Sequence, residues 1–422
     1  MSSNIFETEL KGSKIFINKE ALSSHYVPEE LPHRENEVRE ITRIIAPVLK
    51  NEKPDNLFIY GKPGTGKTCV VKYVLRKLDE FVNNPEKNVK NALVRSVYMN
   101  CKIRNSKYQV LLSALEDDAL NKPPLQNTPL GDRKDRTLTG MDPANLYDRL
   151  YKVVKTNSLN LILVLDEIDM VAKGLNDLIY ILTRINDELP KGHVSIIGMS
   201  NDIRVMNHLD PRTKSTLCQE EKIFKPYNAL QLGTILRQRV NASFRSGVIS
   251  EGVIEKISAF AAQDGDARYA LRLLKKAGEL AERDNKERIT LEYVEKAKDA
   301  VEEDIMSEAI STLPEHQQIV LYSIASLTSR GGIYKRLPSE YKESGDLFTG
   351  EVYEAYEENC KLLHRQPRTS RQFSEYLNEL EMLGLITTRI SGKGIRGTTR
   401  LIRIGYPPEE IKAIVKRSLG LK

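Results

Sequence analysis

Apolar positions in the first half of the chain follow two rhythms in alternation. Runs such as "NLFIYG", "VRSVYMNC", "NLILVLDEID" and "HVSIIGMSN" are nearly continuous, the pattern of strands buried on both faces. Between them, "VREITRIIAPVL", "KTCVVKYVLRKL", "YQVLLSALEDDAL" and "LNDLIYILTRIND" space their apolar residues three and four apart, as one face of a helix requires. Strands alternating with helices predict an α/β fold with a parallel sheet covered on both sides. Ahead of them, "YVPEELPHRENE" reads as an extended arm. Residues 102 to 145 begin helically and then enter "NKPPLQNTPLGDRKDRTLTGMDP", whose Pro and Gly predict a loop-rich insertion.

After Pro226 the strand pattern stops. "LQLGTILRQRVNASF", "EGVIEKISAFAA", "ARYALRLLKKAGELAERD" and "TLEYVEKAKDAVEED" are successive helical patterns, a small helical domain. A third region starts near Ile305. It holds helices at "HQQIVLYSIASLT", "GEVYEAYEENCKLL" and "TSRQFSEYLNELEML". Two alternating stretches around a glycine-rich turn follow, "TTRISGKGIRGTTRLIRI", and then "PPEEIKAIVKRSL". A chain of 422 residues exceeds one typical core, so three domains are expected, at 1–226, 227–304 and 305–422.

Composition narrows the classes. No apolar run approaches the length that crosses a bilayer, and "MSSNIFETEL" carries no apolar signal segment, so a cytoplasmic, nucleoid-associated chain is expected. Four scattered cysteines form no Cys-x-x-Cys pair, which argues against a disulfide framework or a zinc site. A net charge of +6 is only a weak pointer to nucleic acid.

The chemistry concentrates at "YGKPGTGKT". Gly61 to Thr68 satisfies G-x-x-x-x-G-K-[ST] between a strand and a helix. Its glycines let backbone N–H groups turn toward phosphate oxygens, and the helix adds its positive N-terminal end. Lys67 can reach the β- and γ-phosphates of a nucleotide, and Thr68 can ligate Mg²⁺. Asp166 ends the buried strand "LILVLD" and can hold Mg²⁺ through water, while Glu167 can orient or deprotonate an attacking water. Asp169 reads as a cap for the next helix. Asn201 ends another strand at the carboxyl edge of the sheet. It can serve as a ligand to water or γ-phosphate, or simply as a turn former. By position alone, Arg212 and Arg268 are either solvated or placed to stabilise phosphate charge.

Taken in order, "GKPGTGKT", "LVLDEID", "GMSND", "LDPRTKSTL" and "GDARYALRLL" resemble the AAA+ ATPases. In detail the chain is similar to the archaeal origin-recognition (replication initiator) family, relatives of the eukaryotic origin recognition complex large subunit and the cell-division-cycle helicase loader. "YVPEELPHRENEV" resembles that family's N-terminal box and "PYNALQLGTILRQR" the start of its lid. The resemblance implies that Gly64, Thr65, Gly66, Lys67 and Thr68 bind the phosphates of ATP or ADP. Thr68 and Asp166 would hold Mg²⁺, and Glu167 would complete the Walker B pair. Asn201 would be sensor 1, Arg268 sensor 2, and Arg212 an arginine finger for a neighbouring subunit. Tyr227 and Arg239 would contact nucleotide, and Val27, Pro28 and Arg34 would border the adenine. The family carries a DNA-touching insertion at 102–145, where this chain offers Arg133, Lys134 and Arg136.

Helices followed by a two-stranded wing describe a winged helix. "RQPRTSRQFSEYLNEL" places Arg365, Gln366, Arg368, Ser370, Arg371 and Gln372 at the start of the recognition helix, where side chains meet base edges. Leu377, Leu380 and Leu383 are spaced for burial. In the hairpin, Arg389, Lys393, Arg396, Arg400 and Arg403 are interrupted by no acid, and Lys393 and Arg396 at the tip would neutralise phosphates. The expected protein is a DNA-binding AAA+ replication initiator. It would recognise origin duplex, use ATP as a slow switch and help recruit the replicative helicase, with paralogous initiator subunits as further partners and no membrane. The rivals are a clamp-loader or helicase-type motor, and a winged-helix transcription regulator with structural ATP.

Overall fold

A computed structural model describes residues 13–84, 86, 92–130, 138–171, 174–217, 219–330, 346–390 and 400–420. The chain divides into two compact units, residues 1–297 and 298–422.

In the first unit, β1 (Asn56–Tyr60), β2 (Val94–Asn100), β3 (Asn160–Asp166), β4 (His193–Ser200) and β5 (Gln219–Ile223) form a five-stranded sheet in the order β2-β3-β4-β1-β5. Every pairing is parallel. All residues of β1 and β3 are buried, which is why their sequences are unbroken apolar runs. β5 carries no apolar run and was not legible as a strand. It lies at the sheet edge with β1 as its neighbour, so "QEEKI" keeps its polar side chains partly in water.

Helices α1 (Glu35–Ile45) and α2 (Lys67–Val82) cover one face, packing Ile41, Ile44, Val70 and Val74 against Ile162, Val164 and Ile197. The other face is covered by α3 (Lys107–Glu116), α4 (Asp118–Asn121), α5 (Pro143–Asn157) and α6 (Leu175–Glu188), with Leu111, Leu150 and Leu182 against Phe58, Leu163 and Ile196. Of the insertion expected at 102–145, α3 and α4 form its helical start, and the described residues 122–130 and 138–142 are irregular. Its last residues already belong to α5, which the sequence reading passed over. Asp142 caps that helix by accepting from Asn145 N at 2.9 Å, with Pro143 in its first turn. Arg133, Lys134 and Arg136 lie outside the described residues.

A short helix α7 (Pro211–Leu217) precedes β5. The helical layer then follows as α8 (Ala229–Ser243), α9 (Val253–Ala261), α10 (Ala267–Arg283) and the start of α11 (Leu291–Thr312), whose later residues Met306 and Ile310 belong to the core of the second unit. The chain ahead of the expected arm is stitched to this layer: Ile17 N donates to Ser243 O at 2.7 Å and Arg245 N to Ile15 O at 3.0 Å.

The second unit packs α12 (Glu315–Arg330), α13 (Thr349–Leu362), α14 (Ser370–Met382) and α15 (Pro408–Ser418) around a three-stranded antiparallel sheet. Its strands β6 (Leu347–Phe348), β7 (Ile386–Ile390) and β8 (Arg400–Ile404) run in the order β6-β8-β7. Phe373, Leu377 and Leu380 of α14 are buried in its core. Leu383 is a correction: it is 53% exposed. The helix has ended at Met382, so helical spacing no longer sets where residue 383 faces. Lys393 and Arg396 lie outside the described residues.

Candidate functional site

The strand order assembles the site. β4 lies between β1 and β3, so Asn201, just past β4, stands between the phosphate loop after β1 and the acids after β3. Lys67 Nζ donates to Asn201 Oδ1 at 2.9 Å and to the loop carbonyls of Gly61 and Lys62 at 2.5 and 3.1 Å. Burial pulls the Lys67 ammonium down to about 8; Asp166 opposes this and Arg268 adds to it. Thr65 closes the turn, its hydroxyl donating to Lys62 O at 2.8 Å.

The loop needs its glycines for conformation and for clearance. Gly64 (φ 74°) and Gly66 (φ 89°) are left-handed. A Cβ on Gly64 would fall 1.8 Å from Asp266 Oδ1, and one on Gly66 would fall 2.7 Å from the Tyr227 hydroxyl. The helical layer therefore comes down directly onto the loop, and Ala267 N donates to Gly64 O at 3.1 Å. Asp266 caps α10, its Oδ1 accepting from Arg268 N at 2.7 Å. That places Arg268 in the first turn, within electrostatic reach of Lys67.

Thr68 Oγ1 donates to Asp166 Oδ2 at 2.8 Å, and the Tyr98 hydroxyl donates to the same oxygen at 2.6 Å. The other carboxylate oxygen accepts from Glu167 N at 3.0 Å. Burial, reinforced by the bond to Asp166, pushes the Tyr98 phenol far above its ordinary value, so it acts as a donor. Glu167 has a left-handed backbone (φ 55°), a strained conformation for a non-glycine residue, and its Oε2 is buried without a hydrogen-bond partner. Asp169 does not cap the next helix as expected. It lies in a 3₁₀ turn, Ile168–Met170, and the position before α6 is Gly174. The left-handed Gly174 makes that cap by backbone conformation.

Beside the loop, a cavity is lined by Tyr26, Pro28, Arg34, Tyr227, Arg239 and Arg268, among others. Its two buried arginines also act as bolts. Arg239 donates to the carbonyls of Ala21 and Tyr26 at 3.2 and 3.3 Å and stacks on the Tyr26 ring, leaving Nε unpartnered. Arg34 donates to the Tyr227 hydroxyl at 2.9 Å, to Thr65 O at 2.8 Å and to Lys225 O at 2.7 Å, with its guanidinium over the Tyr227 ring. Arg34 thus ties the arm, the phosphate loop and the entry to the helical layer together. Val27 and Pro28 offer carbonyls to Arg76 at 3.3 and 3.1 Å. Arg212 is exposed on α7.

In the second unit, Thr369 caps α14 through Gln372 N at 3.4 Å. Tyr356 and Tyr353 hold the backbone N and O of Arg368 at 3.0 Å each. The start of α14 is therefore rigid, while the side chains of Gln366, Arg368, Ser370, Arg371 and Gln372 are exposed. Arg371 is 91% exposed, with Glu375 at 3.7 Å. Arg365 is drawn aside to Glu315 at 2.9 Å. The hairpin stretch itself holds no acid, but an acid from elsewhere in the chain reaches its arginines. Buried Asp346 accepts from Arg403 Nε at 2.9 Å and from Arg389, and Arg400 donates to Asn378 Oδ1 at 2.7 Å. These three arginines fasten the wing to its own domain.

Sequence reasoning missed Tyr98, Asp266, Arg76 and Asp346. Only Asp266 left a local signal, as the residue before a helical run.

Residues 30–197 match the family described as AAA ATPase domain, residues 233–299 the Cdc6 AAA+ ATPase-type lid domain, and residues 308–414 the CDC6, C terminal winged helix domain. The chain is 40% identical over 427 residues to the ORC1-type DNA replication protein of Pyrococcus abyssi, covering 99% of this chain and 94% of the relative. It is 41% identical over 413 residues to ORC1-type DNA replication protein 1 of Sulfurisphaera tokodaii, covering 97% and 95%. Among solved structures it is similar to the Aeropyrum pernix ORC1 protein in complex with DNA, with a TM-score of 0.80, 36% identity, and 96% and 98% of the two chains covered.

Proposed function

We propose, for a chain that belongs to the family of ORC1-type DNA replication proteins, that ATP binding and slow hydrolysis in the first unit govern how it holds origin duplex. One observation supports this most. Lys67 bonds Asn201 and the adjacent Thr68 bonds Asp166, beneath a helix that carries Arg268 and meets the loop through Ala267 N. Phosphate charge in the loop and the position of the helical layer are thereby coupled. In this reading residues 1–226 bind nucleotide, 227–304 are the lid and 305–422 bind DNA. Tyr227, Arg239, Pro28 and Arg34 shape the nucleotide cavity, the two arginines by holding its walls, while Val27 supports it through its carbonyl on Arg76. Paralogous subunits and the replicative helicase are the proposed protein partners.

The residues fit Mg²⁺. The Thr68 hydroxyl donates its hydrogen bond to Asp166, which leaves its oxygen lone pairs for a cation, and an all-oxygen donor set suits a hard ion. Held by Thr68 and Asp166, Mg²⁺ would supply neutralisation of phosphate charge. Lys67 binds the phosphates, Asn201 orients Lys67, and Glu167 positions water. The decisive experiment measures affinity for origin and random duplex with and without ATP. An ATP-dependent change confined to origin DNA is expected; identical affinities in both states overturn the switch.

Arg212→Ala should leave nucleotide affinity of the isolated chain unchanged and lower hydrolysis only at concentrations where protomers meet. A wild-type rate independent of protein concentration refutes action on a neighbour.

Arg371→Ala should cost about 1–3 kcal/mol on the specific site and little on random duplex, as a base contact would. Lys393→Ala with Arg396→Ala should weaken both DNAs and lower the salt slope by about 0.9 per lost phosphate contact. Titrations at several salt concentrations separate the two patterns.

A further inference from the structure

Asp166 is not placed by its own strand alone. β2 and β3 pair in register with Tyr98 opposite Val164 and Asn100 opposite Asp166. Side chains two apart share a face of a sheet, so Tyr98 and Asp166 are diagonal neighbours on the face covered by α2. That diagonal is too long for most side chains and suits a tyrosine. The Tyr98 ring lies under the Lys72 ammonium at 4.3 Å, one turn along α2 from Thr68. Its hydroxyl arrives at Asp166 Oδ2, which also receives Thr68 Oγ1, so two donors match that oxygen's two lone pairs in number.

We infer that Tyr98 is a positioning residue for the cation site: it holds the Asp166 carboxylate in the orientation that makes Thr68 present its lone pairs outward. The inference rests on the reading of Thr68 and Asp166 as the Mg²⁺-binding pair. Without the phenol, Oδ2 has a free lone pair, and the carboxylate's last torsion is held by two bonds instead of three, those from Thr68 Oγ1 and Glu167 N. The Thr68 hydroxyl then has more than one acceptor direction, and the hydroxyl lone pairs lose their fixed aim. Outer residues that orient metal-binding groups commonly alter metal affinity or activity by about 10- to 100-fold. Tyr98 touches Asp166 and is not among the residues that line the cavity beside the loop, so the expected effect is on the cation.

Tyr98→Phe removes only the hydroxyl and keeps the ring under Lys72. Full-length wild-type and Tyr98→Phe proteins are compared by titrating Mg²⁺ into the protein with a fluorescent ATP analogue, and by measuring analogue affinity in EDTA. Half-saturating Mg²⁺ should rise at least about tenfold, with affinity in EDTA unchanged within about twofold. Unchanged half-saturation overturns the role. An equal loss in EDTA also overturns it, since the hydroxyl would then support the pocket in general. If wild-type binding ignores Mg²⁺ altogether, the failure lies in the reading of Thr68 and Asp166, and the inference falls with it.

Discussion

Lys67→Ala should weaken ATP binding by at least about 100-fold while the fold survives. The ammonium ends among carbonyls of Gly61 and Lys62 and the Asn201 amide oxygen, all of which accept and none of which carries charge. A phosphate that enters this loop would find Lys67 as its cationic donor there, and charge-assisted hydrogen bonds contribute about 1.5–3 kcal/mol each. Two such contacts exceed the threshold of about 1.4 kcal/mol per factor of ten. Because burial lowers Lys67 to about 8, wild-type affinity should be full below that pH and fall as pH rises through it. The drop should be about fivefold between pH 8 and pH 9 if the bound form keeps its proton. Lys67→Arg, charged throughout, should bind without this pH dependence. Calorimetric titration across pH, with circular dichroism as the fold control, checks both parts. Wild-type affinity in a folded Lys67→Ala protein refutes the assignment.

Glu167→Gln should slow hydrolysis on the order of 10²–10⁴-fold and leave Mg²⁺·ATP affinity near wild type. Asp166, not Glu167, receives the Thr68 hydroxyl, so the cation pair survives the change. Glu167 stands beside it in a strained left-handed conformation with a carboxylate oxygen buried and unbonded. An acceptor kept unsatisfied at a phosphate loop is suited to take a proton or orient a water. The amide keeps size and shape but cannot serve as a base. Single-turnover measurement isolates the chemical step, and an unchanged rate removes Glu167 from this role.

Much of the architecture was legible because its causes are local or periodic. β1 and β3 are buried throughout and therefore read as apolar runs. The helices of both units announced themselves by spacing. β5 at a polar edge and Leu383 just beyond a helix end had weak local signal, whereas α5 carries an Asp-Pro start and apolar residues at helical spacing and was hidden only by the loop-like stretch before it.

The candidate site divides along the same line. The sequence by itself determined the phosphate loop, the acids after β3 and the Arg- and Gln-rich start of α14, because each is a contiguous stretch whose chemistry needs adjacent residues. Tertiary structure alone decided which of those groups meet, and which charges are already taken. Strand order put Asn201 on Lys67 across 134 positions, and a sheet diagonal put Tyr98 on Asp166 across 68. Arg34 became a bolt by reaching Tyr227 across 193 residues, and Arg403 was tied to Asp346 across 57. Coulomb and hydrogen-bond energies depend on distance through space, and only the folded chain sets that distance.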